Sequence, residues 1–130
     1  HNKNECIDLY RQGAAVELML SIVREFARFA EAEHFTPLFL MMPYQTDLEY
    51  LKRTGTYYYR DFVTQVSRLM PTVDLTEKLL SVEEETYTND FYGGHLNALG
   101  NQVLAQELFS ALYDKNGVLK LGGQAQSPSK

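Results

Sequence analysis

Apolar residues recur at spacings of three and four positions between residues 16 and 30. The members of this stripe are Val16, Met19, Leu20, Val23, Ala27 and Ala30. Because this spacing places them on one helical face, it predicts a helix over about residues 14–33. Leu18, Ile22, Phe26 and Phe29 widen the apolar face. We therefore expect this helix to pack on a sheet.

Two short apolar runs predict strands. Residues 37–42 (PLFLMM) are bounded by Pro37 and Pro43, and residues 72–75 read TVDL. Length and flanking prolines favour buried strands over helices for such runs. Between them we predict a short helix over residues 47–52, a break at Gly55, and a second helix that Pro71 ends. The apolar stripe of the second helix is Tyr58, Phe62, Val66 and Leu69.

The remainder of the chain predicts a helical turn near residues 76–80, a polar loop over 81–97 and a last long helix. That helix carries Leu104, Leu108, Ala111 and Leu112 on one side. Helices alternating with strands favour a parallel sheet with helices on its faces, although two strands are few for such a sheet. We assign residues 1–121 to the C-terminal part of a single domain and residues 122–130, rich in Gly, Gln and Ser, to a flexible tail.

Composition narrows the class of protein. The 130 residues are 45% hydrophobic and 22% charged, as in a soluble globular domain. The net charge of -5 argues against nucleic acid as a partner, and no apolar run reaches the roughly 18 to 20 residues of a membrane span. Cys6 is the only cysteine and the three histidines are scattered, so we expect no intrachain disulfide and no metal site.

The segment around His95 carries the candidate chemistry. His95 follows Gly93-Gly94 and directly precedes the last predicted helix. Glycines permit backbone angles that let a loop present the imidazole in a defined direction. Asn97 is placed to cap the helix, and the loop follows a predicted strand, at the sheet edge where open α/β folds bind ligands. From spacing alone, His95 is either a catalytic residue or an ordinary loop histidine.

The string Gly94-His95-Leu-Asn97-x-x-Gly100-Asn101-x-Val103-x-Ala105-x-x-Leu108 resembles the last conserved block of the SGNH/GDSL hydrolases. The order of elements over residues 7–113 is similar to the part of that family leading into this block. The resemblance implies a three-layer, flavodoxin-like α/β fold, present here in part. It also implies an ester hydrolase without a cofactor, in which His95 is the general base on a serine hydroxyl.

The sequence does not decide which acidic residue orients His95. In the family an Asp usually stands three residues before the histidine, and here that position is Tyr92. Asp90, five residues before His95, is our candidate for the second catalytic residue, and Asp74 is an alternative whose simpler role is to cap a strand end. Some members of the family work with a Ser–His pair alone, so the function does not depend on either carboxylate.

The serine nucleophile is expected outside this chain. The Gly-Asp-Ser block of the family is absent, as are its oxyanion-donor blocks. The chain starts His1-Asn2-Lys3, without an initiator Met or a signal-peptide pattern. We expect residue 1 not to be the natural start and the chain to be a fragment that is inactive by itself.

Tyr44 and Gln45 follow the first predicted strand, so topology places them at the same edge as His95. We assign both, together with Asn97, to substrate binding. Tyr57-Tyr58-Tyr59 suggests either an aromatic platform for a sugar or, more simply, an inward Tyr58 whose neighbours cover the loop.

Three interpretations follow for function. The first is an ester hydrolase acting on a small-molecule or glycan ester. The alternative is a non-catalytic binding or accessory module with a degenerate SGNH fold, which the missing standard Asp favours. A nucleotide-binding flavodoxin-like domain ranks last, because no Gly-rich phosphate loop follows a strand. An open sheet edge also suggests self-association.

Overall fold

The computed structural model describes residues 3–82 and 95–113. They form a mixed α/β fold that is mostly helical, with a small parallel sheet. Its elements are α1 (Lys3–Arg11), α2 (Gly13–Ala32), β1 (Phe39–Met41), α3 (Gln45–Thr54), α4 (Arg60–Ser67), β2 (Thr72–Asp74), α5 (Thr76–Ser81) and α6 (Ala98–Tyr113). Within these residues no helix has the length and apolar character that a membrane span requires.

The sheet consists of β1 and β2, which run parallel. Leu40 lies opposite Val73, and Met41 lies opposite Asp74. The N–H of Leu75 donates to the carbonyl of Met41 at 3.0 Å, so the pairing continues just past the end of β2. Both predicted strands and their parallel arrangement are confirmed, but each strand is only three residues long.

One face of the sheet is covered by α2 and α4. Phe39 and Met41 of β1 pack against a buried cluster that these two helices form with the residues flanking α4. The cluster consists of Leu20, Val23, Tyr59, Phe62, Val63, Val66 and Met70. Since side chains alternate along a strand, Leu40 and Val73 lie on the opposite face.

The opposite face is covered by α3, α5 and α6. Leu40 and Val73 pack against a second cluster of Leu48, Leu75, Leu79 and Val103. An ion pair of 2.9 Å between Lys78 and Glu107 also joins α5 to α6. Helices therefore lie on both faces of the sheet, as the alternation predicted. Two strands do not establish the larger flavodoxin-like sheet, which stays a prediction.

The first helix was not predicted, and it explains part of the tyrosine packing. Ile7 of α1 is buried, and the ring of Tyr10 lies 5.4 Å from that of Tyr58 and 5.7 Å from that of Phe62. In the stripe predicted for α4, Phe62 and Val66 are buried as expected, but Tyr59 is 3% exposed whereas Tyr58 is half-buried. The prediction that Tyr58 is the inward residue of the three was wrong.

Only part of the apolar face predicted for α2 is buried. Leu20, Val23 and Ala30 are buried. Ile22 and Phe26, which were expected to widen the packed face, are 57% and 47% exposed. The reason is geometric: these residues lie about a quarter of a turn or more from the buried side, beyond the reach of a two-stranded sheet.

Two leucines of α2, two positions apart, test this account of burial. Leu20 is 2% exposed and Leu18 is 64% exposed. Leu20→Ala leaves a cavity between α2 and α4, so we expect the free energy of unfolding to fall by about 2–5 kcal/mol. Leu18→Ala removes no packing and should change it by less than about 0.5 kcal/mol. Denaturant unfolding of the two variants measures both values, and equal losses would contradict the assignment.

Candidate active site at the carboxyl edge of the sheet

The carboxyl ends of β1 and β2 meet at one edge, because the strands are parallel. The chain leaves β1 through Pro43 into α3 and leaves β2 through Leu75 into α5. Leu48 of α3 and Leu75 both enter the second cluster, and Leu96 packs against the same cluster. The residue before Leu96 is His95, so the candidate base adjoins the side of the sheet that α3, α5 and α6 cover.

The start of α6 fixes the backbone next to His95. The Oδ1 of Asn97 accepts a hydrogen bond of 3.0 Å from the N–H of Gly100, which confirms the prediction that Asn97 caps this helix. The side-chain amide of Asn101 donates to the carbonyls of Leu96 and Asn97, at 3.2 and 3.0 Å. Gly100 is buried. His95 itself is solvent-exposed and precedes this capped helix by two residues.

The two carboxylate candidates have different outcomes. Asp90 lies outside the described residues. Asp74 lies at the end of β2, on the α4 side of the sheet, where its Oδ2 accepts a hydrogen bond from the Tyr57 hydroxyl. Its Oδ1 accepts a 2.9 Å hydrogen bond from the N–H of Thr76 at the start of α5. These contacts fit the simpler role of Asp74, which is to close the turn between β2 and α5.

A buried hydroxyl network adjoins Asp74, and sequence reasoning did not find it. Thr76 is fully buried, and its Oγ1 lies 2.9 Å from the hydroxyl of Tyr59 and 3.1 Å from that of Tyr57. The ring of Tyr57 is also covered by Arg60, whose guanidinium carbon lies 4.8 Å from the ring centre. The signal in the sequence is Asp74-Leu-Thr76 after a strand, which is typical of a side chain bonding two residues ahead.

Burial sets the electrostatics of this network. Desolvation raises the pKa of Tyr57 above its ordinary value, and the hydrogen bond to Asp74 raises it further. Desolvation likewise raises the pKa of Tyr59, with the negative charges of Asp47 and Asp74 adding to the effect. Both phenols are therefore held neutral as hydrogen-bond donors or acceptors. They stiffen the carboxyl edge from the α4 side of the sheet.

Tyr44 and Gln45 lie where topology predicted, between the end of β1 and the first residues of α3. Tyr44 is 63% exposed and Gln45 is half-buried. The N–H of Tyr44 donates to Oδ2 of Asp47 at 2.8 Å, and Oδ1 of Asp47 accepts 2.7 Å from the Tyr58 hydroxyl. Asp47 thus holds the start of α3 in place. A substrate contact by Tyr44, Gln45 or Asn97 stays a prediction.

Two further observations bound the site. Among the described residues no group of three His, Cys, Asp or Glu side chains is arranged to hold a metal ion. A shallow hollow of about 520 Å³ lies at the amino edge of the strands, between α2 and the residues before β2. Its lining includes Arg24, Arg28, Phe35 and Met70. It is therefore separate from the candidate site.

Comparisons of the chain with protein-family models, with curated proteins and with solved structures found no match.

The cap at Asn97 predicts a matched pair of variants. Asn97→Ala removes the oxygen that accepts from Gly100, and we expect it to lower the free energy of unfolding by about 0.5–2 kcal/mol. Asn97→Asp keeps a capping oxygen and should be close to the parent chain. Denaturant midpoints measure both effects. An Asp variant as unstable as the Ala variant would show that the side-chain oxygen is not what stabilises this end of α6.

The buried phenols predict alkaline instability. Their pKa values are raised in the folded chain, whereas after unfolding they return to about 10. Their contribution to stability is therefore complete below about pH 10 and falls as the pH rises above it, because only the unfolded chain readily loses these protons. Unfolding midpoints from pH 8 to 11 measure the decline. Tyr59→Phe removes one of the protons and should make the decline shallower, and an unchanged slope would contradict this account.

Proposed function

We propose that residues 1–130 supply the histidine-bearing part of an SGNH/GDSL-type serine hydrolase that cleaves ester bonds. The serine comes from outside these residues, and "the longer protein" below means the polypeptide that contains both. His95 is the general base: it takes the proton of the serine hydroxyl as the serine attacks the ester carbonyl. The acyl-enzyme that results is released by water.

The placement of His95 is the observation that best supports this proposal. The residue is exposed and stands two residues before the cap of α6. The next residue, Leu96, packs against the second cluster, and the proposal puts the imidazole at the carboxyl edge, where parallel α/β folds bind their substrates. Helices on both faces of the sheet are compatible with a three-layer, flavodoxin-like architecture.

The substrate class follows from the proposed reaction and from the edge of the sheet. Tyr44, Gln45 and Asn97 flank the path by which a substrate would approach His95. Small-molecule or glycan esters fit an exposed site with aromatic and amide side chains. In this proposal neither a metal ion nor a cofactor takes part, because the serine, the imidazole and water suffice for acyl transfer.

The alternative is a non-catalytic binding or accessory module with the same fold. It is favoured by the hydrogen bonds that Asp74 accepts from Tyr57 and Thr76. These bonds give the carboxylate a structural role, so its presence does not call for a catalytic one. The hydrolase ranks first because the residues from Gly94 to Leu108 resemble the histidine block of the family and because Asn97 caps α6 directly after His95.

The imidazole is tested in the longer protein with a fluorophosphonate probe, which labels activated serines. His95→Ala should reduce the labelling rate by about 10²–10⁴-fold, the usual contribution of a general base. The matched control is His34→Asn. This substitution removes another exposed imidazole at a position with φ of 59°, which asparagine tolerates, and it should leave labelling unchanged.

Undiminished labelling of the His95→Ala protein would remove His95 from the mechanism. Absence of any labelling in the unmodified longer protein would favour the non-catalytic module.

A further inference from the structure

The chain is locally basic where α3 passes into α4. Residues 52–60 read KRTGTYYYR, with three cations, three tyrosines and no acidic residue, although the whole chain has a net charge of -5. The lysine and both arginines of this basic–aromatic segment (residues 52–60) are exposed to solvent. The segment is therefore a positive surface on a negatively charged chain, and such a surface attracts anions.

Both arginines of the basic–aromatic segment lie over tyrosine rings. The guanidinium carbon of Arg60 is 4.8 Å from the ring centre of Tyr57, and that of Arg53 is 5.7 Å from the ring centre of Tyr50. A ring contacts the face of a guanidinium and leaves the N–H groups at its edge available to a ligand. The contact also restricts the arginine before a ligand arrives, so less side-chain entropy is lost on binding.

Tyr57 is itself held in place, so the ring beneath Arg60 is anchored. Its hydroxyl donates to Asp74 and lies 3.1 Å from Oγ1 of Thr76, just after the end of β2. The two carboxylate oxygens of Asp74 accept hydrogen bonds from Tyr57 and from the N–H of Thr76. This carboxylate is therefore engaged by the turn between β2 and α5 rather than by the arginine.

Within the part of the chain that the structure describes, the guanidinium groups of Arg53 and Arg60 form no ion pair. By contrast, Arg11, Arg24 and Arg28 each pair with a carboxylate on their own helix. A guanidinium that is oriented and has no charge partner matches the two coplanar oxygens of a carboxylate, which it binds through two parallel hydrogen bonds.

We propose that the basic–aromatic segment binds a small ligand that carries two carboxylates, one for Arg60 and one for Arg53. Because the two arginines stack on different tyrosines, two separated carboxylates suit them better than one compact phosphate. The inference goes beyond the proposed hydrolysis and does not depend on it, since every contact on which it rests lies among the described residues.

Titration of the 130-residue chain with glutarate, a five-carbon dicarboxylate, tests the proposal by NMR. The Nε–Hε resonances of Arg53 and Arg60 should shift and saturate, whereas that of Arg28, which is exposed but paired with Glu25, should not. Valerate, the monocarboxylate of the same length, should bind about tenfold more weakly, because it engages only one guanidinium at a time. Sodium chloride at equal ionic strength controls for charge screening.

Substitutions of exposed arginines locate the binding site. Arg60→Gln should weaken glutarate binding about tenfold, since it removes one of the two charged forks. The matched control Arg28→Gln should leave the affinity unchanged. Arg60→Lys keeps the charge but not the planar fork, so it should recover only part of the affinity. Because position 60 is exposed, the backbone amide spectrum of each variant should otherwise match that of the parent chain.

Three results would overturn the proposal: equal shifts with sodium chloride, equal affinities for valerate and glutarate, or an unchanged affinity of the Arg60→Gln chain. Tighter binding of inorganic phosphate than of glutarate would overturn the dicarboxylate in favour of a phosphate ligand. Fluorophosphonate labelling of the longer protein decides the hydrolase function separately, because these titrations require no reactive serine.

Discussion

The pairing of three residues of β1 with three of β2 organises the rest of the structure. Because side chains alternate along a strand, this short ladder sends Phe39 and Met41 to one face and Leu40 and Val73 to the other. Each face then collects its own helices and its own buried cluster. The parallel direction brings both carboxyl ends to one edge, so the chain segments that leave the sheet there are neighbours.

That same alternation separates the two polar groups at the carboxyl edge. Asp74 is in register with Met41 and therefore belongs to the α4 side, where Tyr57 and Thr76 bind its carboxylate. The segment of His95 and Leu96 belongs to the other side, through the contact of Leu96 with the second cluster. The pleat of the sheet therefore directs the Asp74 carboxylate to the face opposite the one on which Leu96 packs.

Buried polar atoms need partners, and the α4 side supplies them within a few residues. Thr76 is fully buried, yet its hydroxyl meets those of Tyr57 and Tyr59, and its N–H meets Asp74. Leaving such a group without a partner costs about 1–3 kcal/mol. The network therefore restricts which way β2 can turn into α5. Leu75 lies within this turn, and its side chain packs in the second cluster.

Local signals in the sequence were sufficient for most elements. The spacing of Val16, Leu20 and Val23 predicted α2. Prolines flank β1 on both sides and precede β2, and Asn97 indicated the start of α6. Helix α1 was missed because its nine residues make little more than two turns, too short for a periodic apolar pattern to stand out, and its packing is seen in the contacts of Ile7 and Tyr10. The burial of Tyr59 rather than Tyr58 is a tertiary effect, since the Tyr59 hydroxyl meets the buried Thr76 whereas the Tyr58 hydroxyl donates to the half-buried Asp47.

The candidate site was predictable only in part, for a related reason. Topology alone predicts that Tyr44, Gln45 and the histidine segment share one edge, because this prediction needs only strand order and direction. The hydroxyl network at Thr76 depends on residues 17 to 19 positions apart in sequence, which no local pattern encodes. Ile22 and Phe26 show the converse. Their apolar pattern predicted burial, but a side chain is buried only where another element packs against it. The two described strands are too narrow to reach these residues.

The width of the sheet also constrains where a nucleophile can stand. Adjacent strands lie about 4.8 Å apart, so a strand beside β1 ends within about 10 Å of β2 at the carboxyl edge. Leu96 touches a cluster that includes both Leu48, from the helix after β1, and Leu75, from the turn after β2. His95 thus adjoins the face of the sheet that α3, α5 and α6 cover. In the proposed hydrolase, the serine therefore has to reach the imidazole on that face.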